Sequence, residues 1–164
     1  MSVIKISSLL INNLTIQAKL NIRLRSHHNF HVEYADPVQR LANSIDVYSY
    51  IRPHRHALDP KSECLIALKG CFALVIFNNQ GLVTDIIKFG SERYITDSNN
   101  YGVNIPPAVW HTVVALRSDS VLFEVKSGPF DPLRAKEFPS WSPAEDSPEA
   151  ALYLENLKKY IDCV

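Results

Sequence analysis

His54, His56, Glu63 and His111 are the residue types that together bind a first-row divalent ion. His54 and His56 flank one residue, so on a strand their side chains leave the same face, about 7 Å apart along the backbone. Asp59-Pro60 offers a turn, after which Glu63 would open the next strand facing back toward the histidines. His111 follows Ile105-Pro106-Pro107, a rigid stretch that fixes its approach. Four such donors leave one or two positions on a five- or six-coordinate ion for water or substrate. Zinc, iron, manganese and nickel all suit three imidazoles and a carboxylate.

Other side chains could serve a reaction at such an ion. If the strand runs through Arg52-Pro53, Tyr50 and Arg52 share the ligand face. Glu124 and Lys126 alternate with Val121, Phe123 and Val125, so the pair faces either the interior or solvent. Tyr50, Glu124 and Lys126 are thus the candidates for moving a proton. Arg52, Arg40, Gln39 and His31 are the candidates for holding a substrate, arginine being suited to a carboxylate or phosphate. His27 and His28 belong to the same imidazole-rich segment as His31. Trp110 and Trp141 are read as packing residues.

Three zones must position these groups. Residues 1–44 read as a helical extension, with Leu9, Leu10, Leu14 and Ala18 at helical intervals. Asp36-Pro37 reads as the N-cap and first turn of a short helix over Val38–Asn43 that carries Gln39 and Arg40. Residues 45–128 read as strands: Val47–Ile51, Glu63–Leu68, Cys71–Phe77, Leu82–Phe89, Trp110–Leu116 and Val121–Lys126, with a hairpin turn at Asn78–Gly81. Many short strands at this spacing predict a sandwich or closed barrel. Residues 129–164 read as a wrapping segment that ends in a helix over Ser147–Ile161.

The 164 residues fit one domain with a sizeable core. Lysine plus arginine and aspartate plus glutamate number seventeen each, and no basic run marks a nucleic-acid partner. The longest apolar run, Cys71–Phe77, is far too short for a membrane span. The N-terminus carries no signal-peptide pattern. Cys64, Cys71 and Cys163 read as free thiols in a reducing cytoplasm.

At His54-Arg-His56, Glu63 and, after six intervening residues, Gly70, the chain resembles the cupin family's first motif. Pro106-Pro-Ala108-Val-Trp-His111 is similar to its second motif, PxGxxH, with alanine in place of glycine. Six residues separate His56 from Glu63, where cupins usually have three or four, and Ala115 stands where an asparagine is often found. A narrower resemblance runs from about Arg23 to the end. Arg25-Ser-His27-His28-Asn-Phe-His31, Asp36-Pro-Val-Gln-Arg40-Leu, Tyr50-Ile-Arg-Pro-His54-Arg-His56, Glu124-Val-Lys-Ser-Gly128-Pro-Phe and Trp141-Ser-Pro-Ala-Glu145 look like the WbuC family of cupin-fold metalloproteins.

That resemblance implies a single all-β cupin barrel (a double-stranded β-helix, or jelly roll) with helices at both chain ends. It also implies a bacterial cytosolic protein whose genes often lie among those for surface polysaccharide, O-antigen in particular; the family's reaction is open. The expected function is a metal-dependent step on a small polar molecule, a sugar or nucleotide sugar, of the isomerase or epimerase kind. Two alternatives stand beside it: a non-catalytic, metal-dependent small-molecule binder, and an oxygenase if the ion is iron. Exposed barrel edges are compatible with a homodimer, although no residue specifies one.

Overall fold

Every residue of the apolar run Cys71–Phe77 except Ile76 is buried, because both faces of this strand are covered. Phe72 and Leu74 point between two sheets, while Ala73, Val75 and Phe77 point toward a helix. The computed structural model describes residues 3–92 and 100–163. Its elements are α1 (Ser8–Leu20), β1 (Arg25–Asn29), β2 (Val38–Ile45), β3 (Glu63–Lys69), β4 (Cys71–Phe77), β5 (Val83–Gly90), β6 (Gly102–Ile105), β7 (Trp110–Ala115), β8 (Ser120–Ser127) and α2 (Ala150–Asp162). Five strands form one sheet in the order β1-β2-β8-β3-β6, and three form the other in the order β5-β4-β7. All strand pairs are antiparallel. The result is a jelly-roll barrel with flanking helices, as the sequence predicted.

The inner core joins the two sheets through Ile45, Leu65, Phe72, Phe89, Val113 and Leu122. Phe72 and Phe89 stack at 5.4 Å between ring centroids. Outside the smaller sheet, Leu154, Leu157 and Ile161 of α2 pack on Val75, Phe77 and Val114. These three α2 residues recur at helical spacing, so one stripe of the helix is buried. Outside the larger sheet, Leu14 of α1 packs on Ala42 and Val121. Ser7 caps α1, its hydroxyl accepting the Leu10 N–H. Neither helix is long and apolar enough to cross a membrane.

Two sequence expectations are corrected. Val38–Asn43 is not a helix but the body of β2. Asp36 instead closes the preceding turn, its Oδ2 accepting the Val32 N–H at 2.7 Å, so it caps a loop rather than a helix. Its strand neighbours β1 and β8 supply the backbone partners that override the helical spacing. Val47–Ile51 is not a strand. Asp46 ends β2 by accepting the Tyr48 N–H on Oδ1 (3.1 Å) and the Ser49 N–H on its carbonyl (3.0 Å). Strand structure therefore starts at Arg25, inside the zone read as helical, and β1 and β2 belong to the barrel. Strands β3, β4, β5, β7 and β8 and helix α2 lie where they were expected, within a few residues, whereas β6 was not anticipated.

Gly70, the glycine of the first motif, joins β3 to β4 with φ +77°. A Cβ there would fall 2.1 Å from the Oγ of Ser120, which is fully buried. Left-handed backbone and this close approach both require glycine. Gly70→Ala is expected to lower unfolding stability by more than about 2 kcal/mol, read from the urea midpoint. A midpoint matching the parent protein would contradict this account of the turn.

Candidate metal centre

Strand alternation delivers the four predicted ligands to one point inside the barrel. Glu63 shares its face of β3 with the core residues Leu65 and Ala67, and His111 shares its face of β7 with Val113 and Ala115. His54 and His56 reach the same point from an extended segment. The His54 and His111 backbones exchange two hydrogen bonds of 2.9 Å, an isolated bridge that places these rings side by side, with centroids 4.6 Å apart. Arg55, between the two histidines, points the other way. It forms a two-pronged ion pair with Glu137 (2.9 and 2.8 Å) and lies over the Trp110 ring at 4.3 Å. Alternation across His54-Arg55-His56 is thus fixed from both sides.

Each imidazole is oriented by a main-chain carbonyl. Nδ1 of His54 donates to Arg52 O (2.9 Å), Nδ1 of His111 to Val109 O (2.9 Å), and Nδ1 of His56 to Ala135 O. With the proton on Nδ1, the Nε2 lone pair points inward, as in metal-ligating histidines. The Nε2 atoms of His56 and His111 are buried without a hydrogen-bond partner, an arrangement that a bound cation would satisfy. Glu63 Oε2 lies 3.5 Å from both of them. Two donors each about 2.1 Å from one ion sit roughly 3.0–3.4 Å apart at octahedral to tetrahedral angles, so this spacing fits an ion. One ligand atom from each of the four residues lies within 4.8 Å of the others, and all four residues are buried. The residues fit one divalent ion, of a kind that the donor set leaves open.

The electrostatics keep the set in its binding form. Burial, with Lys136 and His111 nearby, holds His54 well below the ordinary imidazole value, so it is neutral. Burial opposes the charge of Glu63, but its polar and charged neighbours, the Lys126 ammonium among them, more than offset it and hold the carboxyl well below its usual range. The Lys126 ammonium bridges Glu63 Oε1 (3.2 Å) and Glu124 Oε1 (2.6 Å). Burial works against this ammonium, yet the two carboxylates raise it above the ordinary lysine value. Glu124 is pushed up to about 7, first by burial and then by the Glu63 charge.

Glu124 and Lys126 therefore face the interior, resolving the choice that alternation left open. They also line a cleft of about 330 Å³ beside the metal cluster, together with Gln39, His31, His27 and Lys136. The cleft lies on the inner face of the larger sheet. Glu124 is paired with Leu41 of β2 and Leu65 of β3, and Lys126 with Gln39 and Glu63.

The other predicted residues are placed differently. Tyr50 is buried against Tyr153, and its hydroxyl donates to Pro143 O at 3.1 Å, on the α2 side of the smaller sheet. Arg52 donates to Ser142 Oγ (3.1 Å) and Pro139 O (2.9 Å), and so binds the C-terminal segment. Both departures follow from the missing strand at Val47–Ile51, which removes the shared face. Arg40 is exposed on the outer face of β2, opposite Gln39, because neighbours on a strand diverge. Gln39 lines the cleft but is fully buried, with its amide donating to Tyr34 O and Asp36 O. His31 lines the cleft and accepts the Arg40 N–H on Nδ1 at 3.1 Å. Lys136 and the Ala135 carbonyl were missed. They lie in an irregular stretch whose position no periodicity announces.

The barrel has the jelly-roll fold of the cupins, and its cluster of three histidines and a glutamate could hold a metal ion. Within that class, the chain belongs to the family described as a domain of unknown function (DUF6016), whose model matches residues 6–89. Among solved structures, protein SO0799 from Shewanella oneidensis is similar with a TM-score of 0.53 and 10% identity, over 82% of each chain. The capsular polysaccharide assembling protein CapF from Staphylococcus aureus is similar with a TM-score of 0.50 and 19% identity, over 73% of this chain and 32% of its own. This chain thus spans about a third of CapF. A Streptococcus pyogenes protein of unknown function, SPY1581, is similar with a TM-score of 0.51 and 10% identity, over 80% and 93%. No curated protein matches the chain.

Ala108 occupies the motif's glycine position with φ +64°, and its N–H donates to His56 O at 3.2 Å. Because Ala108 is exposed and strained, Ala108→Gly is expected to raise stability by about 0.5–1 kcal/mol in chemical unfolding. A loss of stability would show that this backbone carries no strain. His56→Ala should abolish metal retention, measured by elemental analysis of protein purified without an affinity tag. Full stoichiometry in that variant would mean that the ligands are misassigned.

Proposed function

We propose that this protein is a metal-dependent enzyme of the isomerase or epimerase kind, acting on a small polar molecule such as a sugar or nucleotide sugar. The observation that supports this reading is the meeting of cleft and metal cluster at one buried trio, Glu63–Lys126–Glu124. A divalent ion, when bound, supplies Lewis-acid polarisation of a substrate oxygen. Glu124 faces the cleft, where its carboxyl can take a proton from substrate carbon or oxygen and return it. Lys126 holds Glu124 and Glu63 in a fixed relation, so the proton-moving carboxyl is kept near the ion without binding it.

The polysaccharide setting is inferred from the sequence resemblance to the WbuC family. CapF, a capsular polysaccharide assembling protein, shares the fold only. A metal-dependent binding protein is the second reading. It is favoured by the carbonyl-locked imidazoles, which would hold an ion rigidly whether or not chemistry follows.

The test is proton exchange. Metal-loaded protein is incubated in deuterated water with a panel of sugars and nucleotide sugars, and carbon-bound hydrogens are followed by NMR. The expected result is deuterium incorporation or epimer formation that falls by about 10²-fold or more in Glu124→Gln, with metal content unchanged. Exchange that is equal in Glu124→Gln, or absent from a ligand that demonstrably binds, would overturn the catalytic reading and leave the binding one.

A further inference from the structure

The cleft beside the metal cluster is unusually cationic for a protein of zero net charge. Arg23, Arg25, Lys126 and Lys136 line it with a single carboxylate, Glu124. Most of these cations are already answered. Glu145 pairs with Arg25 and lies 3.7 Å from Arg23, and Arg25 also donates to Tyr50 O at 2.7 Å. Lys126 is taken by Glu63 and Glu124. Lys136 alone has no ion-pair or hydrogen-bond partner among the described residues, and its side chain is open to solvent through the cleft.

A free surface lysine is ordinarily a solvated one. Lys136 differs in where it is held. It lines the cleft where crowding by the protein draws its ammonium below the ordinary lysine value, the repulsion of Lys126 and Arg25 being set against the attraction of Glu63 and Glu124. Its backbone is pinned on both sides: the Ala135 carbonyl holds His56, and Glu137 holds Arg55. His27 lines the same cleft on an inward position of β1. A cation without a partner, fixed between a metal site and an open cleft lined by three further cations, is a binding group suited to an anion.

We propose that Lys136 receives the anionic group, a carboxylate or a phosphate, of a monosaccharide-sized substrate whose remaining oxygens extend past Glu124 toward the metal cluster. The cavity of about 330 Å³ suits a molecule of that size. This inference rests on reading the cleft as the substrate site of the proposed enzyme, and it narrows the substrate class to anionic sugars and related acids. Glu124 would then work beside a charge fixed by Lys136, so orientation is set before any proton moves.

The test is calorimetric titration of the metal-loaded full chain with glucose, glucuronate, glucose 6-phosphate and inorganic phosphate, at low and at raised salt. Binding of glucuronate or glucose 6-phosphate but not glucose is expected, weakened by salt, and the tighter of the two identifies the anion. Lys136→Gln should weaken that binding at least about tenfold, and Lys136→Arg should restore most of it. Metal content should stay the same in both variants. Equal affinity for glucose, no binding of any anion at millimolar concentration, or an unchanged Lys136→Gln would overturn the proposal. Loss of the ion from the parent protein with anion binding retained would sink the metal-dependent reading while leaving Lys136 as the anion site.

Discussion

The constraint on which the structure depends is the orientation of three imidazoles by main-chain carbonyls. A buried ring nitrogen without a partner is costly, and here two Nε2 atoms are left so while every Nδ1 is satisfied. The carbonyls come from three separate places: Arg52 and Val109, each two residues before its histidine, and Ala135 from the C-terminal segment. The barrel makes this affordable because its sheets are packed at one end by Phe72, Phe89 and Leu122 and left polar at the other. One sheet face thus carries both a hydrocarbon core and a row of charged groups, divided along the strands rather than across them.

This division explains why β8 reads ambiguously. Leu122, Glu124 and Lys126 all point inward, the first into the core and the others into the cleft, while Val121 and Phe123 pack outside under α1 and Phe30. An alternating pattern normally marks one wet and one dry face. In β8 both faces are covered, and the polar residues mark depth along the barrel.

Much of the site was legible in the sequence because metal ligands need particular residue types at strand-compatible spacing. HxH on an extended segment, the glutamate at the head of β3 and the histidine after Pro106-Pro107 all converge as their spacing implied. The glycine at 70 and the alanine at 108 fall on left-handed backbone, so the motif positions reflect conformation as well as chemistry. What failed were local readings settled by distant partners. Val38–Asn43 has helical spacing, but strands on either side claim its backbone. Tyr50 and Arg52 were placed by assuming a strand that Asp46 terminates, and Arg40 by a helix that does not form. Lys136 was invisible because its importance comes from an irregular segment folding back over the barrel.

That returning segment does more than cover the sheet. Between Ser127 and α2 the chain contributes the carbonyl that steadies His56, the carboxylate that steadies Arg55 and the ammonium that looks into the cleft, all within Ala135–Glu137. It acts as a clasp, closed over a pocket whose ligating side chains all precede it. A backbone nick in this stretch would leave all four donors covalently intact yet slacken His56's ring, so grip on the ion would depend on a tripeptide that contributes no donor of its own.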